Sequence, residues 1–221
     1  MSLSTNEVIK CPDCGASYTF TCHPSINAQT DPHLREAVLS GEAFTSRCPK
    51  CGKTIQVVYP CLYQSPKQGF MIYFLPGYEQ RVLKVDGEME QLFESREAST
   101  RRVVDSYRGL CDKILLLENG FNDYAMELFK AYTAITIATG PNKENAPEEI
   151  CFSGLSGDGE ILMIGYQKDR QTQMTAPKGL YNTLVRDYGE LWELKTEHFV
   201  AIDMLWALEF IKAGNAHGQM N

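Results

Sequence analysis

The sequence has no apolar run approaching the roughly 18 residues that a membrane-spanning helix requires. Its first ten residues, MSLSTNEVIK, also lack the apolar stretch of a secretory signal. We therefore expect a cytoplasmic protein with no membrane partner. With 43% apolar and 22% charged side chains among 221 residues, the composition is that of a globular protein and excludes general disorder.

An excess of positive charge is also lacking, since the net charge is -7. Residues 1–60 offer no local exception, because five basic side chains there face five acidic ones. The basic ones are Lys10, Arg35, Arg47, Lys50 and Lys53. Binding to nucleic acid normally requires an excess of cations that replace counterions. We therefore expect no nucleic-acid partner.

Motifs of the common catalytic sites are absent: there is no nucleophile elbow, phosphate-binding glycine loop or His-Glu-x-x-His sequence. An enzyme would have to assemble its site from distant polar residues. The available ones are Asp123, Glu127, Asp158, Glu160, His198 and Asp203. Asp123 and Glu127 are four residues apart and can share a helix face, but helix capping and ordinary surface charge account for them.

Eight cysteines are present, and four of them form two similar motifs, Cys11-Pro12-Asp13-Cys14-Gly15 and Cys48-Pro49-Lys50-Cys51-Gly52. The two-residue spacing lets neighbouring thiolates bind one tetrahedral ion. The proline favours a tight turn, and the glycine tolerates the positive φ at which the chain folds back. We predict one Zn²⁺ bound by Cys11, Cys14, Cys48 and Cys51. Four cysteines complete the coordination shell, so this zinc has a structural role.

Other uses of the cysteines are less favoured. A redox dithiol needs one Cys-x-x-Cys pair between a strand and a helix, whereas this chain has two decorated pairs. Cys22 and His23 could join a second metal site with Cys61 or His33, but no suitable spacing supports it. Cys111, on a predicted helix face, and Cys151, in a predicted strand, are expected to be small buried apolar residues.

Residues 1–76 are predicted to form a zinc-ribbon-like β module with an inserted short helix. The 33 residues from 15 to 47 include a strand from Ala16 to Thr21. Asp31 as N-cap, Pro32 in the first turn and Gly41 as the stop then define a helix of about eight residues. Strands over 54–59 and 69–75 are expected to pair beside the metal site.

The rest of the chain is predicted to contain a linker or mobile segment over 77–100 and an α+β domain over 101–221. Apolar residues spaced by three and four from Val103 to Leu117 indicate a helix from Arg101, which Asn119-Gly120 ends. Arg101, Arg102 and Arg108 would lie on its solvated face. A second helix starts at Asn122 or Asp123 and completes a helical hairpin.

Beyond the helical hairpin, strands over 150–155 and 160–166 flank a Gly-Asp-Gly turn and predict a β-hairpin. Helices follow near 177–188 and 199–211. The last one is apolar on more than one face, so it is either buried or docks on a partner, including a second copy of the chain. Trp192 and Trp206 occupy anchor positions in either case. The fold class is therefore α+β.

The two Cys-Pro-x-Cys motifs, the helix start Asp31-Pro32-His33-Leu34 and the segment 59–63 together resemble the CpXC family of bacterial and archaeal proteins. The resemblance covers roughly residues 8–135. It implies a prokaryotic source and strengthens the assignment of the four cysteines as ligands, but it implies no reaction.

The leading hypothesis is a zinc-stabilised binding or scaffold protein with a protein partner and the capacity to form homo-oligomers. One alternative is an enzyme whose site lies in the C-terminal domain. The other is a zinc-ribbon accessory of nucleic acids or transcription, which would need a basic stripe built from residues such as Arg101, Arg102 and Arg108.

Overall fold

A computed structural model describes residues 1–91, 93, 100–141, 143–189 and 197–218. The strands are β1 Leu3–Lys10, β2 Ser17–Asn27, β3 Thr45–Arg47, β4 Thr54–Gln56, β5 Cys61–Ser65, β6 Phe70–Phe74, β7 Val82–Leu83, β8 Thr100–Val104, β9 Glu149–Leu155, β10 Ile161–Gln167, β11 Arg170–Ala176 and β12 Phe199–Val200. The helices are α1 Pro32–Ser40, α2 Gly87–Glu90, α3 Tyr107–Glu118, α4 Asp123–Thr139, α5 Lys178–Tyr188 and α6 Met204–Gly218. Helices and mixed sheets confirm the predicted α+β class.

Contacts divide the chain into two compact units, residues 1–111 with 196–200 and residues 112–195 with 201–221. The division drawn from the sequence placed the change earlier, in the segment 77–100. Within the described ranges, every helix is too short or too polar to cross a membrane.

The first unit is built on a seven-stranded mixed sheet in the order β1-β2-β5-β6-β8-β12-β7. The interior strand β5 is buried along its whole length, and the side-chain amide of its Gln64 donates to Ser25 Oγ on β2 at 2.8 Å. At one edge, β1 is mostly exposed. A separate ribbon, β3 paired antiparallel with β4, has only three residues in each strand.

Two sequence-based expectations for the first unit are wrong. The segments around 54–59 and 69–75 do not pair with each other, because β4 pairs with β3 while β6 lies between β5 and β8. The helix does not begin at Arg101, since 100–104 form β8 and the helix starts at Tyr107. Val103 and Val104 fit a buried parallel strand as well as a helix face, and β-branching favours the strand.

Helix α1 follows the prediction in its bounds but differs at its start. Gly41 ends it in the left-handed region with φ 83°. Asp31 makes no side-chain capping bond; its carboxylate instead accepts from the backbone N–H of Ser2 at 2.9 Å and the hydroxyl of Thr30 at 2.7 Å. The carboxylate therefore fastens the start of β1 beside the entry to the helix.

The second unit packs α4, α5 and α6 with a three-stranded antiparallel meander, β11-β10-β9. The predicted hairpin of β9 and β10 is confirmed, and β11 extends it. Asn122 caps α4 by accepting from the backbone N–H of Ala125. The final helix begins at Met204, because residues 199–200 form β12. Trp192 lies outside the described residues, whereas Trp206 stacks on Phe210, and both pack against the core.

Candidate metal centre

The two Cys-x-x-Cys motifs occupy the turns of two antiparallel ribbons in the first unit. The first motif lies between β1 and β2, and the second lies between β3 and β4. A hydrogen bond of 3.2 Å from Ser46 Oγ to the Tyr18 hydroxyl joins the ribbons. The two turns therefore lie close together, with their cysteines facing each other.

Each turn is closed by the same pair of backbone hydrogen bonds. In the first, Cys11 N donates to Ala16 O at 2.8 Å and Gly15 N donates to Cys11 O at 3.0 Å. In the second, Cys48 N donates to Lys53 O at 2.8 Å and Gly52 N donates to Cys48 O at 2.9 Å. The glycines have φ angles of 71° and 74°, which an L side chain adopts only with strain. The glycine in each motif is thus required by the turn itself.

The four cysteine sulfurs converge within 4.8 Å of one another. Cys11 Sγ lies 3.7 Å from Cys51 Sγ, and Cys14 Sγ lies 3.7 Å from Cys48 Sγ. A tetrahedral ion with four sulfurs at about 2.3 Å separates each pair of sulfurs by about 3.8 Å. The spacing of the thiols therefore fits one tetrahedral metal ion, and the four residues can hold it together.

The electrostatics of the cluster favour a bound cation. Backbone N–H groups of Cys51 and Lys50 donate to the sulfur of Cys48 and lower its pKa to about 6. Lys53 N–H acts in the same direction on Cys51, but desolvation and the neighbouring thiols Cys48, Cys14 and Cys11 raise its pKa to about 12. Four thiols packed this closely cannot all ionise unless a cation balances their charge.

In each motif the first cysteine is buried more deeply than the second. Cys11 and Cys48, the first cysteine of each pair, are each 1% exposed, whereas Cys51 is open to solvent. Lys53 Nζ lies 3.2 Å from Asp13 Oδ1 and so links the two turns by an ion pair. Both groups are more than half exposed, so the pair adds little stability.

The second metal site considered from the sequence is not formed. His23 Nδ1 lies 2.9 Å from Ser4 Oγ, and burial raises the pKa of the thiols of Cys22 and Cys61. Across the residues that the structure describes, Cys11, Cys14, Cys48 and Cys51 are the one cluster with metal-binding geometry.

The arginines named for a basic stripe do not form a solvated helix face, so that expectation is wrong. Arg101 and Arg102 lie on β8 and are 9% and 4% exposed. Arg101 Nη1 donates to the backbone oxygen of Glu197. Only Arg108, on α3, is exposed.

The expectation of ordinary surface charge for Asp123 and Glu127 is also wrong. Both are buried in the second unit, where Lys113 Nζ lies 2.7 Å from Glu127 Oε1 and 3.4 Å from Asp123 Oδ2. Lys130 Nζ is 2.9 Å from Glu127 Oε1 and 2.6 Å from Asp112 Oδ2. We call these five residues, Asp112, Lys113, Asp123, Glu127 and Lys130, the buried charge network. The sequence analysis singled out Asp123 and Glu127 but not Asp112, Lys113 or Lys130.

Three of the remaining candidates for an enzyme site, Asp158, Glu160 and Asp203, lie at a turn or at the end of a secondary-structure element. Asp158 and Glu160 are exposed at the turn and at the end of the β9–β10 hairpin. Asp203 accepts from the backbone N–H of Trp206 at 2.9 Å, which is a capping role at the start of α6. These positions serve turns and helix ends.

Two facing Cys-x-x-Cys turns with converging sulfurs give the chain a zinc-ribbon-like start whose four cysteines can hold a metal ion. A family comparison matches residues 9–130 to the CpXC protein family, and the chain belongs to that family. The resemblance seen in the sequence is thereby confirmed. No curated protein and no solved structure matches the chain.

Proposed function

We propose that the chain is a prokaryotic, cytoplasmic binding or scaffold protein whose four-cysteine site holds one structural Zn²⁺. The observation that carries the proposal is the convergence of four sulfurs at the spacing of a tetrahedral ion. Four protein ligands leave no open position for water or substrate, and this favours a structural over a catalytic ion.

The short strands of the metal-binding ribbon support a structural role for the ion. The ribbon of β3 and β4 has three residues per strand, and two-stranded ribbons of this size are not stable alone in water. An ion bound to Cys48 and Cys51 on this ribbon, and to Cys11 and Cys14 on the other, crosslinks the two. Metal binding then supplies folding free energy that the local core lacks.

A protein partner is favoured by the surface of the metal-binding ribbons. Val8, on the edge strand β1, is 75% exposed, and Val58, just after β4, is 56% exposed. An exposed edge strand can also pair with a strand of another chain. Helix α6 exposes Leu205. A second copy of the chain is therefore one form the partner can take.

Two alternatives receive less support. The carboxylates of Asp123 and Glu127 are ion-paired and buried, so they are not available as an enzyme's acid and base. Two of the three arginines considered for nucleic acid are buried in β8. We expect purified protein not to retard single- or double-stranded DNA or RNA at low salt.

Elemental analysis of the purified protein tests the proposal. We expect about one zinc per wild-type chain, and loss of both zinc and thermal stability in the double variant Cys14→Ser/Cys51→Ser. The matched control is Cys22→Ala/Cys61→Ala, which also removes two cysteines of the first unit but should keep the zinc. Iron in place of zinc, which tetrahedral sulfur sites also bind, or metal-free protein with reversibly cycling thiols would overturn the proposal.

A further inference from the structure

A cavity of ≈ 520 Å³ lies in the second unit, among the residues after position 130 that the family match does not reach. Its walls come from the last turn of α4, the loop that follows, and strands β10 and β11. The apolar part of the lining includes Ile137, Pro147 and Met174. Cavities of roughly 300–1,000 Å³ with mostly apolar walls are the usual size of small-molecule sites.

The floor of this cavity is closely packed around a glycine. A Cβ atom placed on Gly165 would lie 3.0 Å from Met174 Cε and 3.1 Å from Pro147 Cβ. Both distances are shorter than most Cβ contacts, so a side chain at position 165 would push Met174 or Pro147 back by a few tenths of an ångström. The wall is therefore formed by specific packing and not by a gap between loosely placed loops.

Two carboxamides at the cavity are held in place by neighbouring groups. Gln167 Nε2 donates to Glu144 O at 2.8 Å. Asn145 Nδ2 donates to Glu144 Oε1 at 3.2 Å, and Asn145 Oδ1 accepts from Arg170 Nη1 at 3.1 Å. Each amide retains hydrogen-bonding capacity beyond these contacts. Fixed polar groups of this kind orient a ligand at little entropic cost.

The charge of the lining limits the chemical class of the ligand. None of the described residues that line the cavity is ionisable. The last turn of α4 contributes Thr136 and Ile137, and the C-terminal end of a helix carries partial negative charge, which disfavours an anion. Glu144 and Arg170 bond to Asn145 from outside the lining, and their opposite charges leave no net charge at the polar end of the cavity.

We propose that this cavity binds an uncharged, mostly apolar small organic molecule whose polar group meets the amides of Asn145 and Gln167. The site goes beyond the structural metal centre, because it gives the second unit a ligand of its own. The two amides would hydrogen-bond the polar group of the ligand. Ile137, Pro147 and Met174 would contact its apolar part.

Nile red, an uncharged dye whose fluorescence rises in apolar surroundings, serves as the probe. The blocking variant is Thr172→Trp, because Thr172 lines the cavity from the edge strand β11. The matched control is Gln173→Trp, since side chains alternate along a strand and Gln173 does not line the cavity. Titrations use the full chain, and thermal melting confirms that each variant folds.

We expect saturable binding of one dye per chain, a loss of at least tenfold in affinity in Thr172→Trp, and a change below twofold in Gln173→Trp. The anionic dye ANS should bind at least tenfold more weakly than Nile red. Unsaturable dye binding, or equal affinity in the wild type and Thr172→Trp, would overturn the proposal. If Thr172→Trp fails to fold, NMR of ¹³C-methyl-labelled wild type replaces it, with the Met174 signal assigned through Met174→Leu. We expect the Met174 methyl signal to shift when Nile red is added. The absence of a shift would overturn the proposal.

Discussion

The ammonium group of Lys130 on α4 lies 2.6 Å from Asp112 Oδ2 on α3, and the two side chains are 1% and 7% exposed. The other carboxylate oxygen of Asp112 accepts from the backbone N–H of Phe152 on β9 at 2.6 Å. One aspartate therefore joins two helices and a strand of the second unit. Burial alone would lower the pKa of Lys130, but the carboxylates of Asp112 and Glu127 outweigh burial and raise it.

Replacing this lysine should be among the most damaging single changes in the second unit. Lys130→Met leaves Asp112 and Glu127 buried without their shared cation, and breaking a buried ion pair costs about 3–5 kcal/mol. Urea unfolding monitored by tryptophan fluorescence measures the loss. The matched control is Arg186→Met, which breaks an exposed pair with Asp187 and should change the free energy of unfolding by less than about 0.5 kcal/mol.

A double variant separates pairing from packing. Lys130→Met/Asp112→Leu removes both members of the closest pair, so we expect it to recover at least about 1 kcal/mol relative to Lys130→Met alone. A double variant less stable than the single would show that Asp112 acts mainly through the bond from Phe152 N–H.

The buried charge network shows the limit of sequence reasoning at a helix. The four-residue separation of Asp123 and Glu127 correctly predicts that they lie on one helix. The helical period alone, however, assigns charged residues to the solvent-exposed face. In the structure, every residue of α4 from Ala125 to Ala131 is buried, so the helix has no solvated face over that stretch. The tertiary position of α4 decides the role of its charges, and a single sequence does not reveal it.

Gly52 provides a test of the metal turn. Its φ is 74° and its N–H closes the turn onto Cys48 O, so Gly52→Ala should cost about 1–2 kcal/mol and weaken metal binding. The control is Gly179→Ala in α5, where a Cβ meets nothing within 4 Å and φ is not positive. We expect that change to stabilise the protein by up to about 1 kcal/mol. Thermal melting with and without a zinc chelator checks both, and similar effects from the two substitutions would contradict the role of the turn.

The convergence of the four cysteines is predictable from the sequence because they form two local pairs, and each pair fixes its own turn with proline and glycine. The strands around them are less predictable. β1 is mostly exposed and polar, so it carries no apolar alternation that a sequence reveals. The sequence of β8 also fits the start of a helix because Val103 and Val104 suit either period, and its pairing with β6 is a contact between residues about thirty positions apart.

Tyr107 should stabilise the end of α1 through its hydroxyl. That hydroxyl donates to Val38 O at 2.7 Å, a carbonyl in the last turn of the helix. Burial raises the pKa of Tyr107, so the group stays a neutral donor at physiological pH. We expect Tyr107→Phe to lower the free energy of unfolding by about 1 kcal/mol. Tyr78→Phe, which removes an exposed hydroxyl 3.2 Å from both Gln80 Oε1 and Val82 O, is the control and should lower the free energy of unfolding less, because water replaces exposed hydrogen bonds. Equal losses would assign no special role to Tyr107.

Asp31 should make the protein sensitive to acid in a defined range. Hydrogen bonds from the side chain and backbone of Ser2 and from the hydroxyl of Thr30 lower the pKa of Asp31 from 3.8 to about 2. A carboxyl whose pKa is lower in the folded state stabilises the fold above the unfolded pKa, and this contribution disappears as the pH falls through the folded pKa. The wild type should therefore lose its advantage over Asp31→Asn as the pH drops from about 4 to about 2.

Chemical unfolding of the wild type and Asp31→Asn over this pH range measures the effect, and an NMR titration of the Asp31 carboxyl gives its pKa directly. Asp158→Asn, at the exposed hairpin turn, is the control for loss of one negative charge. A constant difference in unfolding free energy between wild type and Asp31→Asn across the range would refute the linkage. It would also mean that the bond from Ser2 does not hold the N-terminal strand to the entry of α1 in solution.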